Sequence, residues 1–398
     1  MTNEASDAAP AQPSHLKRCV ALLRRGLMAL PSALWPVLAL TALWLALLFA
    51  TTGGGWVDIW LARWARWDAL WYLRIWEEGY AAEPLTLAFP PGYPWLTGMG
   101  ATLTTAPFFA VGSVISLSSL IIAGVVLVKW VERDFGVPGT WVYAFWLCAP
   151  ATYFALAPYS DLLFCALLFT ALYGLTAPQL SRSQQALLLM VLMALPFIRI
   201  TAFALFPLLL LRRWQVLAML PGLGTFLLLN HQVTGDALHF LGVQEQFLMT
   251  DGHLLDGLRQ AWGGLLPPPP VEKPVDFLRW LQVNAVPLAQ LLLLSLTTLW
   301  LLWRRQGVVA VALIGIVLMS HNQAFWRSVV RYDLPVWPLV ALPILVTAQQ
   351  QLFRWRQSPG GFPWAAAACL ASLGALMMLG LLLQWRFAAV FHRGGWGF

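Results

Sequence analysis

Apolar runs of about membrane-spanning length recur along this chain, and they constrain its fold more than any other feature. About 20 residues of helix cross a bilayer, and helices satisfy their own backbone hydrogen bonds in lipid. The runs therefore predict an all-α polytopic membrane protein with roughly eleven segments. A composition of 60% hydrophobic and 10% charged residues excludes a soluble domain behind a single signal peptide. The runs fall near residues 33–50, 101–128, 139–157, 160–177, 186–198, 200–211, 214–230, 285–303, 307–320, 334–349 and 362–383.

Basic residues are distributed unequally between the two sides of this predicted bundle. If the N-terminus is inside, the inner pieces contain 13 basic and 4 acidic residues, and the outer pieces contain 11 basic and 13 acidic residues. The positive-inside rule then predicts a multi-pass protein of a bacterial cytoplasmic membrane with its N-terminus inside. Residues 1–30 form a basic cytoplasmic segment, and 31–398 form one transmembrane domain with large outer loops at 51–100 and 231–284. Because the basic residues are scattered over short loops, the positive net charge does not indicate a nucleic-acid-binding protein.

The first outer loop contains a periodic run of tryptophans beside an aspartate. Steps of four, four, three and four residues place these tryptophans on one face of a helix, which predicts an interfacial helix over 56–72. Asp68 lies at the edge of that face near Arg66, and a carboxylate at lipid depth is costly unless it is used or paired. The helix is either an interfacial anchor with a solvated Asp68, or Asp68 has a function. The tryptophans are Trp56, Trp60, Trp64, Trp67 and Trp71.

Two segments, 186–198 and 200–211, are too short to span a membrane as α-helices. They meet at Arg199, and such a break is tolerated where it lines a cavity within the protein. Arg199 either snorkels or pairs internally, or else it binds a lipid phosphate. The loop 231–284 reads as one or two amphipathic helices followed by four prolines at 267–270.

Metal and disulfide chemistry find little support in the sequence. The four cysteines form no disulfide framework. The outer-loop residues His231, His239, His253, Asp251 and Asp256 fit no ordinary metal-ligand spacing. No cofactor is predicted, and a divalent cation is left open without support from the spacing.

Several segments resemble motifs of the GPI mannosyltransferase II (PIG-V-type) family in its short bacterial form. The segment APYSDLLF has Asp161 where that family usually has Glu, and GDALHFLGVQEQF at 235–247 adds weaker support. The main segments are RWDALWYLRIWEEGY (66–80) with FPPGYPWL (89–96), APYSDLLF (157–164), PFIRITAFALFPLLLL (196–211) and RSVVRYDLPVWPL (327–339).

The resemblance implies a GT-C type glycosyltransferase. Such enzymes move a sugar, here mannose, from a polyprenyl-phosphate carrier to a hydroxyl of a lipid- or protein-linked glycan at the outer face, with inversion. An acidic residue of the first outer loop is the expected base, and by motif position it is Asp68. Asp58 lies on another face of the predicted helix and is a poor partner for it, while Glu77 and Glu78 are expected to be solvated.

Further motif residues are expected to bind substrate, and Arg331 is favoured with Arg199 for the carrier phosphate. Asp161 instead caps its helix together with Ser160 in one alternative. In a second alternative, Arg327 and Arg331 only anchor their loop at the membrane interface. In a third, the turn 89–94 is only a rigid junction between a loop and a helix. The expected binding residues are Arg66, Trp67, Trp71, Tyr72, Tyr93, Tyr159, Asp161, Arg199, Gln244, Arg327, Arg331 and Tyr332.

Two other functions remain as alternatives. A lipid-linked sugar flippase or transporter would place charges at the bilayer midplane and show paired repeats. An O-antigen ligase or polymerase would use outer-face arginines but lack an Asp-bearing helix after the first span. Charges in the outer loops and the absence of repeats favour the glycosyltransferase.

Overall fold

The computed structural model describes residues 32–52, 64–248, 254–264, 277, 280, 284–321, 328–357 and 363–392, and within them every regular element is a helix. The predicted all-α fold class is therefore confirmed for this part of the chain. The α-helices are α1 Leu34–Thr52, α2 Asp68–Glu78, α3 Gly92–Thr104, α4 Phe108–Phe135, α5 Gly139–Leu147, α6 Asp161–Thr176, α7 Arg182–Ile198, α8 Leu220–Thr234, α9 His239–Leu248, α10 Leu254–Gly263, α11 Val286–Trp303, α12 Gly307–His321, α13 Val329–Tyr332, α14 Ala341–Gln357 and α15 Trp364–His392. The 3₁₀ segments are Pro84–Ala88, Thr152–Ala155, Ile200–Leu211, Trp214–Met219 and Trp337–Val340.

Long apolar helices identify an integral membrane protein. In the described part of the chain, four helices are long and apolar enough to cross a membrane, at Phe108–Phe135, Trp214–Thr234, Val286–Trp303 and Trp364–Phe391. Five shorter apolar helices of 10–17 residues accompany them, including α6 and α7. The predicted count of about eleven spanning segments is not confirmed.

A row of small residues brings α4 close to the segment that precedes α6. A Cβ added at Gly112 would lie 2.6 Å from the Cβ of Pro158. The hydroxyls of Ser113 and Ser116 donate to the carbonyl oxygens of Leu156 and Tyr159, both at 2.8 Å. Small residues let helix backbones approach closely in a membrane, and hydroxyls satisfy the polar groups of a chain that is not helical there. This packing holds the irregular segment against α4.

Helix α5 is shorter than the sequence predicts. The apolar run 139–157 was expected to be one helix, but α5 ends at Leu147 and a 3₁₀ turn follows at Thr152–Ala155. Pro150 explains the end, because a proline disfavours helical backbone in the residue before it. The carbonyl of Trp146 accepts hydrogen bonds from the Ala149 N–H at 2.9 Å and from the Thr152 hydroxyl at 2.6 Å.

The predicted break at Arg199 is present, although its two halves differ from the expectation. Helix α7 has 17 residues because a capping box at Ser181 and Gln184 starts it earlier. Arg199 is extended, with φ −152° and ψ 141°. The second half is a 3₁₀ segment of 12 residues, about 24 Å long at about 2.0 Å per residue. It packs along α12.

The tryptophan-bearing helix that the sequence predicts over 56–72 is only partly present. Residues 53–63, with Trp56, Asp58 and Trp60, lie outside the described residues. The predicted continuous helix is wrong from Trp64 to Trp67, because α2 begins only at Asp68. Trp64 is buried instead, with its ring 5.6 Å from that of Phe391. Helical periodicity therefore misassigned a core residue to the interfacial face.

Candidate functional site

Asp68 is the first residue of α2, and the backbone just before it turns sharply. Trp67 has a φ of 52°, which is rare for a bulky residue. The carbonyl oxygen of Arg66 accepts two hydrogen bonds, from the Tyr159 hydroxyl at 2.8 Å and from the Ala69 N–H at 3.1 Å. The turn is therefore held by a second segment of the chain, and tertiary contacts help to set the direction of Asp68.

Asp161 is the first residue of α6 and is only 4% exposed. An acidic residue is favoured in the first turn of a helix by the helix dipole. The side chain of Ser160 makes no capping hydrogen bond. Instead, Oδ1 of Asp161 faces two arginines from other segments. The simple capping interpretation therefore does not describe this carboxylate.

The two arginines come from the break after α7 and from the short helix α13. Arg199 lies where α7 ends, close to the start of α6, because α6 and α7 pack together along the bundle. Arg331 lies on the single turn α13 and is 3% exposed. Both side chains point to the end of the bundle where α2 begins.

These four residues form one chain of alternating charges. Arg331 Nη2 lies 2.9 Å from Asp68 Oδ2, and Arg331 Nε lies 3.6 Å from Asp161 Oδ1. The same Asp161 oxygen lies 2.7 Å from Arg199 Nη1. The order is thus Asp68, Arg331, Asp161, Arg199, with Arg331 between the two carboxylates.

Aromatic rings surround the guanidinium of Arg331. Its Cζ lies 5.5 Å from the ring centre of Phe154, 5.2 Å from that of Tyr159 and 5.0 Å from that of Tyr332. Arg199 lies 5.2 Å from the same Tyr332 ring. Cation–π contacts are stronger where the cation is desolvated. The rings therefore hold the guanidiniums in place and keep water away from them.

Tyr72 connects α2 with the start of α6. Its hydroxyl lies 3.0 Å from the hydroxyl of Ser160, which in turn accepts from Arg199 Nη1 at 3.4 Å. Burial, reinforced by the nearby Asp68, raises the pKa of Tyr72 above its ordinary value. Tyr72 is therefore a neutral hydrogen-bonding residue at neutral pH and not a base.

The two carboxylates of the charged chain differ in their exposure. The Asp68 side chain is 14% exposed, compared with 4% for Asp161. In such surroundings, removal of one partner of a buried pair costs about 3–5 kcal/mol, because the other charge is left uncompensated. The formal charges of the two carboxylates and two guanidiniums cancel. Asp68 is the carboxylate that a ligand reaches most easily.

A groove of about 490 Å³ runs along α2 and the residues just before it. Among the described residues it is lined by Arg66, Trp67, Leu70, Trp71 and Arg74, together with Ala65. Trp67 is 42% exposed. Indole rings and guanidiniums suit the face and the hydroxyls of a saccharide.

Three other expected binding residues lie away from this charged chain or outside the described part of the structure. Tyr93 is fully buried, and its hydroxyl donates to the Gly112 carbonyl at 2.9 Å, so it does not face a saccharide. Gln244 on α9 donates to the Ala88 carbonyl at 2.8 Å. Arg327 lies outside the described residues. Tyr159 is also fully buried and supports the site from behind.

Sequence reasoning missed two contacts of this site. Phe154 lies against Arg331, and nothing in its sequence surroundings distinguished it from other core aromatics. Ser160 links Tyr72 with Arg199. Its position directly before Asp161, in a motif that the sequence already indicated, was an available signal.

The described residues contain no group of three or more His, Cys, Asp or Glu side chains placed to hold a metal ion. Of the histidines and aspartates considered in the segment 231–284, His253 and Asp251 lie outside the described residues. In the acidic pair of the site, each carboxylate faces an arginine.

No protein-family model matches the chain, and no curated protein does. Two similar solved structures are crystal structures of ArnT from Cupriavidus metallidurans, and in each the match covers 90% of this chain and 74% of ArnT. The structure bound to undecaprenyl phosphate has 15% sequence identity and a TM-score of 0.46. The apo structure has 14% identity and a TM-score of 0.41.

Proposed function

We propose that this protein is a membrane glycosyltransferase that moves a sugar from a polyprenyl-phosphate carrier to a glycan hydroxyl. The observation that carries the proposal is the alternating chain of Asp68, Arg331, Asp161 and Arg199, buried where the apolar helices end. An ion-pair network that has only a structural role carries a large desolvation penalty when it is buried. Its arrangement has a chemical use, since two guanidiniums bind a phosphate and the most accessible carboxylate lies next to them.

Arg331 and Arg199 supply the donor phosphate site in this proposal. Both guanidiniums contact the same oxygen of Asp161, which keeps them within reach of one small anion. The other oxygen of Asp161 is buried and has no hydrogen-bond partner among the described residues. A sugar hydroxyl of the donor would satisfy it, as buried polar atoms require. Asp161 thus aligns the two arginines and receives the sugar.

Asp68 acts as the general base. Its carboxylate accepts the proton of the acceptor hydroxyl while that oxygen forms a bond to the anomeric carbon. The bond from the anomeric carbon to the phosphate oxygen breaks, and its electron pair stays on the phosphate. Because Asp68 loses a negative charge as the phosphate gains one, the net charge of the site does not change. Attack from the face opposite the phosphate inverts the anomeric centre.

The groove along α2 supplies the acceptor side. Trp67 in its lining directly precedes Asp68 in the chain, and the Asp68 carboxylate faces Arg331. Trp67 and Trp71 provide ring faces for a saccharide. The resemblance of the motifs supports mannose as the sugar, and the distribution of basic residues supports an active site on the outer face of a bacterial cytoplasmic membrane.

Transfer in nanodiscs tests the proposal. The protein is incubated with radiolabelled polyprenyl-phosphate mannose and a lipid extract of bacterial membranes. Label in a product that survives mild acid is expected, because glycosyl phosphates are acid-labile and glycosides are not. Transfer should disappear in the Asp68→Asn protein and persist in Asp134→Asn, which changes an aspartate paired with Arg133 at the other end of α4.

The transporter alternative gives a different result. A flippase would move the labelled carrier between the leaflets of a liposome at the same rate in the wild-type and Asp68→Asn proteins, and it would make no acid-stable product. That outcome would exclude catalysis. Transfer of glucose or galactose but not mannose from the same carrier would retain the glycosyltransferase and correct the sugar.

A further inference from the structure

A buried polar cluster lies directly behind the turn that carries Arg331. Asp333 is fully buried, and its Oδ1 accepts a hydrogen bond from the Ser320 hydroxyl at 2.5 Å. The other carboxylate oxygen lies 3.7 Å from His321 Nε2, while His321 Nδ1 lies 3.0 Å from the Val317 carbonyl. Ser320 and His321 are the last two residues of α12. The cluster therefore joins the end of an apolar helix to the loop of the site.

Asp333 and Arg331 belong to one hydrogen-bonded turn of the backbone. The N–H of Asp333 donates to the Val329 carbonyl at 2.9 Å, and the N–H of Leu334 donates to the Arg331 carbonyl at 3.1 Å. Helix α13 has only four residues, and a single turn is not stable without outside contacts. A displacement of the Asp333 side chain would thus be passed on to Arg331.

The ionised form of Asp333 is less stable in this cluster than in water, which is unusual for a purely structural contact. Burial raises the pKa of Asp333 to about 6, which means that its ionised form is disfavoured in this place. A carboxylate whose pKa is raised by folding lowers the stability of the protein at pH values above its ordinary pKa, and an amide of the same shape does not. Folding alone therefore gives little reason for a carboxylate here.

We propose that Asp333 is a positioning residue, which anchors α13 to the end of α12 and so places the Arg331 guanidinium between Asp68 and Asp161. The inference rests on the proposed role of Arg331 in binding the carrier phosphate. Misplacement of a group by about 1 Å can lower the rate at a preorganised site on the order of 10²-fold. The aromatic rings around Arg331 make its position more critical, since cation–π contacts require the guanidinium over the rings.

Asp333→Asn separates positioning from stability. The test measures the binding of undecaprenyl phosphate to protein in nanodiscs, together with the apparent melting temperature and the KM of each substrate. We expect donor affinity to fall about tenfold or more, with the donor KM raised, the acceptor KM unchanged and the melting temperature equal or higher. The matched control is Gln384→Leu, because Gln384 is a buried polar residue that joins other segments through Trp44 and the Leu147 carbonyl. That variant should lose stability and keep donor affinity.

Ser320 gives a second pair of variants in case Asp333→Asn does not fold. Ser320→Ala removes the hydrogen bond and should weaken donor binding in the same direction, while Ser320→Thr keeps the hydroxyl and should restore it. Normal donor affinity in both Asp333→Asn and Ser320→Ala would overturn the positioning role but leave the proposed function intact. Loss of affinity that only follows loss of stability would also overturn it. If the wild type binds no undecaprenyl phosphate, the proposed function fails, and this inference fails with it.

Discussion

Asp68→Asn should change transfer and donor binding in opposite directions. The amide keeps the size of the side chain and a hydrogen-bonding group, but it removes the charge that accepts the acceptor proton. In the structure the same charge lies 2.9 Å from Arg331 Nη2. The carrier phosphate must therefore compete with Asp68 for that guanidinium. The substitution removes both the base and the competitor.

The size of each effect follows from the geometry. Loss of a general base lowers transfer by roughly 10² to 10⁴, or about 3–5.5 kcal/mol in the barrier. A hydrogen bond to a charged group contributes about 1.5–3 kcal/mol. If the phosphate recovers half of that contribution once Asp68 is neutral, its affinity should rise on the order of tenfold, since about 1.4 kcal/mol corresponds to one decade. Arg331 retains Asp161 and three aromatic rings, which limits the loss of stability.

Two measurements on the same nanodisc preparation test this prediction. One is the initial rate of sugar transfer from the polyprenyl-phosphate donor, and the other is the dissociation constant of undecaprenyl phosphate. The Asp134→Asn protein controls for the loss of an ion-paired aspartate elsewhere, since Asp134 pairs with Arg133. Monodisperse elution and a normal melting curve establish that each variant is folded.

Two results would refute the reasoning. Near-normal transfer by Asp68→Asn would show that Asp68 is an interfacial residue, and the base would have to be Asp161. Loss of transfer together with weaker carrier binding would show that Asp68 holds the site together and does not compete for Arg331. Only lower transfer with equal or tighter carrier binding agrees with a base that is paired in the resting state.

Three further substitutions test the surroundings of the site. Arg199→Gln should weaken the binding of undecaprenyl phosphate by about 1.5–3 kcal/mol, measured by titration, and unchanged affinity would remove Arg199 from the phosphate site. Tyr159→Phe deletes the hydrogen bond to the Arg66 carbonyl but keeps the ring, so transfer should fall more than carrier affinity does; equal effects on both would contradict a role in directing Asp68. Gly112→Val should lower the melting temperature, because even a Cβ there would lie 2.6 Å from that of Pro158, and overpacking costs about 1–3 kcal/mol.

Much of the fold could be predicted from the sequence because it depends on local patterns. Apolar runs indicated the helices of a membrane protein, and the short segments that meet at Arg199 indicated the break. The motifs likewise directed attention to Asp68, Asp161 and Arg331, all of which lie in the charged chain. In each case a short stretch of sequence contained the whole signal, either as periodicity or as a charge in an apolar setting.

Tertiary structure decided what these local patterns left open. Periodicity placed Trp64 on an exposed interfacial face, but contacts with Phe391 bury it and α2 starts only at Asp68. The motifs predict Tyr159 as a substrate-binding residue, and Asp333 is only a neighbour within its motif. In the structure the Tyr159 hydroxyl holds the Arg66 turn, and Asp333 bonds to Ser320 from the turn that carries Arg331. Helical propensity and hydrophobic pattern describe each segment separately. The partners of a buried charge depend on which segments end at the same place, and only the packed bundle decides that.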